Sequence, residues 1–195
     1  MDLAISSSSM NQLLKGVNLY LVGMMGSGKT TVGRLLAKEL GYHFFDTDAV
    51  IEQSQKKSIN EIFVEAGETA FRDLETEVLA QLSSCVRLAI ATGGGIVLKR
   101  KNWSYLRHGL IVWLDAPVEL LHTRLQNDTT RPLLKESDLS AKLQSLLEQR
   151  QALYAQADLR ITLQPGETPE QIATRVITEI PTVLCSERTP VTELN

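Results

Sequence analysis

The sequence has few cysteines, few aromatic residues and no long apolar run, and each shortage argues against a class of protein. Cys85 and Cys185 lie far apart and lack a metal-binding spacing, so we expect reduced thiols and a cytoplasmic location. No apolar run approaches the roughly 20 residues of a membrane-spanning helix. The net charge of −3 leaves no broad basic surface for a nucleic acid. An anionic ligand must therefore be bound by a few well-placed arginine and lysine side chains.

The length of 195 residues suits one domain with its own core. We predict a flexible leader at residues 1–16, the domain at 17–181 and a loose tail at 182–195. The leader has neither the basic start of a secretory signal nor the arginines of a transit peptide. We expect a monomer that binds small molecules, with no membrane or nucleic-acid partner.

Short apolar runs alternate with helical patterns, which predicts an α/β fold built from βαβ units. We expect three layers, with a central five-stranded parallel sheet and helices on both of its faces. The predicted strands are 18–22, 43–45, 88–91, 110–114 and 159–163. The predicted helices are 29–40, 68–82, 118–125, 139–157 and 168–180, with a further helical segment through Ile51. A polar, irregular stretch at 127–138 is predicted to be a mobile lid.

Residues 23–30 read GMMGSGKT and match the G-x-x-x-x-G-K-[ST] pattern in full, between a predicted strand and a predicted helix. This pattern is typical of a phosphate-binding loop, because its glycines let backbone N–H groups approach phosphate oxygens at a helix N-terminus. Lys29 should contact the β- and γ-phosphates, and the Thr30 hydroxyl should bind Mg²⁺. GTPases, ATP-driven machines and metabolite kinases all share the loop. The small size and the absence of an N-K-x-D guanine motif favour a metabolite or nucleotide kinase.

Asp46 and Asp48 directly follow the second predicted strand, at the edge of an α/β sheet where ligands bind. Two carboxylates at this point can divide the work, one binding Mg²⁺ and the other a substrate hydroxyl. The alternative is a turn in which an aspartate caps a helix. The glycines at 93–95 follow another buried strand, and they either let the backbone approach a ligand or form a flexible turn.

Three further segments carry arginines: FVEAGETAFR at 63–72, RPLL at 131–134 and RQALY at 150–154. Taken with the phosphate-binding loop, Asp-Thr-Asp and the triple glycine, their order and spacing resemble those of the shikimate kinases over residues 18–180. Gluconate kinases and nucleoside monophosphate kinases, which share the fold, do not carry this set. The resemblance implies a P-loop kinase fold and ATP-dependent, Mg²⁺-dependent phosphorylation of the 3-hydroxyl of shikimate. That reaction is a step in chorismate and aromatic amino acid biosynthesis.

The resemblance also implies a role for each matching residue on the acceptor side. Asp48 would contact the ring hydroxyls and orient the one that attacks. Arg72 and Arg150 would bind the substrate carboxylate, with backbone contacts from Gly94 and Gly95. Two arginines suit an acid better than a neutral sugar, because a guanidinium binds a carboxylate through two parallel hydrogen bonds.

On the donor side, the resemblance implies that Asp46 holds Mg²⁺ through water together with Thr30. Arg131 would arrive with the lid and stabilise the transferring phosphoryl group, and Arg124 would lie near the adenine. The implied catalytic residues are Lys29, Asp48 and Arg131. The implied ATP-binding residues are Gly26, Ser27, Gly28, Lys29, Thr30, Thr31, Arg124, Arg131 and Pro169. The loop at 164–169 lacks a basic residue that some family members have, so we expect mostly backbone contacts to adenine there.

Two alternatives to this function remain. One is a related kinase for gluconate or a nucleoside monophosphate, and the other is a silent relative that binds nucleotide and regulates a partner. The joint presence of Lys29, the two aspartates, Arg72 and Arg131 argues against a silent relative. The three histidines have no metal-binding spacing. Trp103 and Tyr105 follow the basic run at 99–101, and we expect them in a solvated loop.

Overall fold

The computed structural model describes residues 14–126 and 138–185. Residues 1–13 of the predicted leader, nearly all of the predicted lid with Arg131, and the tail from residue 186 lie outside this range. Leu14 is buried, and the Gly16 carbonyl accepts a hydrogen bond from the Arg87 amide at 2.9 Å. The packed fold therefore already includes the last residues of the predicted leader.

Five parallel strands form one sheet in the order β2-β3-β1-β4-β5. Their bounds are Leu19–Val22 (β1), His43–Asp46 (β2), Leu88–Ala91 (β3), Leu110–Asp115 (β4) and Leu159–Thr162 (β5). Every residue of β1 and β3 is buried. Because successive side chains point to opposite faces of a sheet, helices must cover both faces here. The predicted five-stranded parallel sheet is confirmed.

Seven helices of the described residues pack around this sheet. Their bounds are Lys29–Leu40 (α1), Thr47–Gln55 (α2), Ile59–Ser83 (α3), Arg100–Leu106 (α4), Val118–Leu125 (α5), Leu139–Tyr154 (α6) and Pro169–Cys185 (α7). Helix α1 ends at Gly41 in the left-handed conformation, and α3 begins with a capping box between Ser58 and Glu61. None of the helices described is long and apolar enough to cross a membrane.

The strand order brings three loops to one edge of the sheet. β1 is paired with β3, and β3 with β2, all with their carboxyl ends in the same direction. The phosphate-binding loop follows β1, the triple glycine comes just after β3, and Asp46 is the last residue of β2. The amide and hydroxyl of Thr92 both donate to the carbonyl of Leu21, at 3.2 and 2.9 Å, which joins β3 to β1 just before the two loops diverge.

The structure differs from the prediction at three helices. Helix α3 begins at Ile59, and Gly67 interrupts it with a positive φ of 80°; the part after Gly67 agrees with the predicted helix 68–82, whereas the part before it was not predicted. The prediction of a solvated loop around Trp103 is wrong: α4 covers this segment, and the buried Trp103 indole donates to the Val97 carbonyl at 3.0 Å. Helix α7 continues past Pro181 to Cys185, because Val183 and Leu184 pack against the core.

Candidate active site

The phosphate-binding loop closes around the side chain of Lys29. Gly28 precedes α1 with a φ of 94°, a backbone conformation that residues other than glycine rarely adopt. This turn directs the Lys29 side chain back into the loop. The Lys29 ammonium donates to the carbonyls of Gly23 and Met24 at 2.9 and 2.8 Å. The loop therefore holds a buried positive charge at its centre, beside the N-terminus of α1.

Asp46 links the loop to the start of α2. Its Oδ2 accepts a 2.6 Å hydrogen bond from the Thr30 hydroxyl, and its Oδ1 accepts from the Asp48 amide at 3.0 Å. The alternative interpretation of Asp46 as a helix cap is thus confirmed. The same geometry fits Mg²⁺, which prefers oxygen ligands and retains several waters. A hydroxyl and a carboxylate in contact would need only water and phosphate oxygens to complete the shell.

Acidic and basic side chains lie very close to the backbone of the triple-glycine turn, residues 93–95. A Cβ atom at Gly93 would lie 2.3 Å from Oε1 of Glu75 and 3.0 Å from Oδ1 of Asp48. A Cβ atom at Gly95 would lie 2.2 Å from Nη1 of Arg72. The glycines therefore allow Asp48, Glu75 and Arg72 to surround one short stretch of backbone.

Arg72 is held by two carboxylates on its own helix. Its Nη1 donates to Glu75 at 2.7 Å, and its Nη2 and Nε donate to Oε1 of Glu68 at 2.7 and 3.2 Å. Burial lowers the pKa of Arg72, but Glu75 and Glu68 more than compensate, so its pKa is raised overall. A guanidinium has five N–H donors, so the described contacts leave donors of Arg72 for a further acceptor.

Glu75 is a residue of this site that the sequence prediction missed. Its side chain is completely buried, and no described residue forms a hydrogen bond with Oε1. Burial raises the pKa of Glu75 to about 7; Arg72 opposes this rise and Asp48 adds to it. The sequence does indicate that Glu75 can pair with Arg72, because a spacing of three residues puts both side chains on one face of a helix.

Arg150 and Tyr154 approach the turn from α6. The Tyr154 hydroxyl donates to the Gly94 carbonyl at 2.5 Å, and Nη1 of Arg150 donates to the same oxygen at 3.4 Å. Arg150 is buried, and within the described ranges its Nε has no hydrogen-bond partner. Tyr154 belongs to the RQALY segment, but the sequence assigned no role to it.

A cavity of about 390 Å³ connects the phosphate-binding loop with this turn. It is lined by Gly26, Ser27, Gly28, Lys29, Thr30, Thr31, Asp46, Asp48, Gly93, Gly94, Arg124 and Pro169, among others. Arg124 lies at the loop side, where its Nη1 donates to the Gly26 carbonyl at 3.0 Å. Arg72, Gly95 and Arg150 adjoin the cavity through the turn. The structure thus brings together every predicted site residue except Arg131, which it does not describe.

A parallel sheet with a phosphate-binding loop after its central strand, beside a pocket of carboxylates and arginines, defines a P-loop kinase for a small acceptor. The family model described as shikimate kinase matches residues 25–181, most of the chain. The chain belongs to the shikimate kinase family.

Relatives and solved structures agree with this assignment. The chain is 67% identical to a shikimate kinase of Nostoc sp. over 90% of its own length and 97% of the relative's. A structure titled shikimate kinase from Acinetobacter baumannii in complex with shikimate is 37% identical, with a TM-score of 0.80, covering 92% of this chain and 98% of that one. A shikimate kinase from Bacteroides thetaiotaomicron is 31% identical, with a TM-score of 0.78, covering 85% and 98%.

Proposed function

We propose that this chain transfers the γ-phosphoryl group of ATP to the 3-hydroxyl of shikimate, yielding shikimate 3-phosphate and ADP. The reaction is a step in chorismate and aromatic amino acid biosynthesis. The observation that carries the proposal is the convergence of Asp48, Arg72 and Arg150 on the triple-glycine turn, beside the phosphate-binding loop. Family membership supplies the identity of the acceptor.

The acceptor side suits a hydroxylated acid. Arg72 and Arg150 carry the positive charge that a carboxylate requires, and a guanidinium binds it with defined geometry. Arg72 is already fixed by Glu68 and Glu75, so little side-chain freedom is lost when the substrate binds. Gly94 and Gly95 would contribute backbone contacts to the ring.

Asp48 is the proposed partner of the attacking hydroxyl. The hydroxyl oxygen forms a bond to the γ-phosphorus as the bond between that phosphorus and the β,γ-bridging oxygen breaks. The hydroxyl proton passes to the carboxylate of Asp48, and ADP leaves with the bridging oxygen. The placement of Asp48 beside both Gly93 and the cavity supports this role.

Lys29 and the loop hold the donor. The ammonium would exchange its contacts with the Gly23 and Met24 carbonyls for phosphate oxygens when ATP binds. Thr30 and Asp46 would hold Mg²⁺, which when bound neutralises charge on the phosphates. Arg124 and Pro169 would lie beside the nucleotide, and Arg131 with its lid remains a prediction from the sequence. The monomeric state and the cytoplasmic location also stay predictions.

A screen of acceptors tests the proposal directly. ADP release is measured with ATP, Mg²⁺ and one acceptor at a time: shikimate, gluconate, a set of nucleoside monophosphates, or none. We expect strong stimulation by shikimate alone. A preference for gluconate or a nucleotide would refute the proposal, and normal ATP binding without turnover on any acceptor would favour a silent relative.

A further inference from the structure

The triple-glycine turn has a defined backbone geometry. The Ile96 amide donates to the Gly93 carbonyl at 3.1 Å, which closes a four-residue turn over 93–96. Gly95, the third residue of that turn, has φ of −95° and ψ of 0°. These are the angles of the third position of a type I turn.

The sequence of this turn does not by itself favour type I. A type II turn needs a positive φ at its third position, and glycine adopts that conformation without steric cost. The two types differ by a flip of the central peptide, here the one between Gly94 and Gly95. That flip reverses both the Gly94 carbonyl and the Gly95 amide, because the peptide is planar.

Contacts from α6 distinguish the two orientations. In the structure, the Gly94 carbonyl points at the Tyr154 hydroxyl, 2.5 Å away, and a flipped peptide would turn this oxygen from its donor. The ring itself is fixed, since Tyr154 is buried and stacks on Trp113 with centroids 5.9 Å apart. Burial raises the pKa of Tyr154 to about 12, so the hydroxyl keeps its proton at neutral pH and can donate it.

We propose that Tyr154 is a positioning residue for acceptor binding, whose hydroxyl holds the Gly94–Gly95 peptide in the type I orientation. The inference rests on the proposed function, which gives Gly94 and Gly95 backbone contacts with the acceptor ring. Without the hydroxyl, the turn samples both orientations, and the acceptor binds only the fraction that is correctly oriented. Arg150, one helical turn before Tyr154, shares the same carbonyl and is steadied by the same contact.

The variant Y154F removes the hydroxyl and retains the packed ring, so the fold is preserved. The matched control is Y42F, because the buried Tyr42 hydroxyl has no hydrogen-bond partner in the described part of the chain. For Y154F we expect the KM for shikimate to rise roughly 3- to 10-fold, as for a lost buried hydrogen bond, while the KM for ATP changes less than about 2-fold. Y42F should match the wild type in both constants.

A second measurement examines the turn without any substrate. In protein labelled with ¹⁵N-glycine, Y154F should shift or broaden the amide resonances of Gly94 and Gly95 and leave those of distant glycines unchanged. Unchanged Gly94 and Gly95 resonances, or an equal rise of both KM values, would overturn the inference. Absence of shikimate-dependent ADP release in the wild type would instead refute the proposed function, and the resonances would still decide whether Tyr154 sets the turn.

Discussion

Nη1 of Arg72 lies 2.7 Å from Oε2 of Glu75, and this pair joins an arginine at the acceptor site to a carboxylate that is completely shielded from water. Breaking such a pair by removing one member leaves an uncompensated buried charge. The two residues therefore have to be tested together, because the change in one alters the state of the other.

Glu75 should make stability depend on pH. Its carboxyl ionises near 4.5 in the unfolded chain but keeps its proton to about pH 7 in the fold. The folded state thus binds more protons in that window, and the free energy of unfolding falls as the pH rises. Relative to E75Q, the wild type should lose on the order of 2–3 kcal/mol between pH 4.5 and 8. Urea unfolding at both ends of the range measures this, with the exposed neighbour variant E77Q as the control; equal pH dependence of wild type and E75Q would contradict it.

Arg72 should control affinity for the acceptor through the shape of its side chain as well as its charge. R72K keeps the charge but loses the planar fork, so the shikimate KM should rise about 10-fold or more while the ATP KM stays nearly constant.

R72A should cost roughly 2–5 kcal/mol of binding and also destabilise the fold. At pH 8, where Glu75 of the wild type is ionised, the double variant R72A/E75Q should recover stability but not affinity. R100K, on the exposed side of α4, is the control, and a similar rise of both KM values in R72K would mean that Arg72 acts elsewhere.

Replacing Asp48 should reduce turnover without weakening ATP binding. D48N should lower kcat by roughly 100- to 10,000-fold and leave ATP binding close to normal, because it affects the attacking hydroxyl. To compare D48N with the wild type, kcat is measured from ADP release and the affinity for ATP from equilibrium binding. Equal loss of turnover and of ATP affinity in D48N would place this residue on the donor side instead.

Thr30 should set the requirement for Mg²⁺. T30V removes both the proposed hydroxyl ligand of Mg²⁺ and the group that orients Asp46, so the Mg²⁺ concentration for half-maximal activity should rise about 10-fold or more. T123V is the matched control, because the Thr123 hydroxyl donates to the Glu119 carbonyl of its own helix. An unchanged Mg²⁺ dependence in T30V would exclude Thr30 from the metal site.

The strands that position the site were predictable from short apolar runs. The bounds of β3 and α1 agree with the prediction, because a fully apolar strand and a glycine-flanked helix leave little ambiguity. The segment with Trp103 was not, since its basic residues suggested solvent. Only the fold reveals that Trp103 turns inward and that its indole bonds to Val97.

The buried partners of the site residues were harder to predict. A glutamate on a helix normally faces solvent, whereas Glu75 is buried where α3 packs against the triple-glycine turn. The role of Tyr154 depends on the orientation of one peptide in another segment, which no local pattern contains. The charged residues proposed to bind the substrate belong to sequence motifs. The residues that hold them in position are recognised only from their contacts in the folded structure.

The direct pairing of β1 with β3 has a mechanical consequence. Leu21 and Ala91 are paired residues of these two strands, and the phosphate-binding loop and the triple-glycine turn leave the sheet just beyond them. With ATP and the acceptor bound as proposed, the lateral distance between adjacent strands, about 4.8 Å, sets how far apart the two sites begin. On heating, the separation between the two sites should persist until the pairing of β1 with β3 breaks.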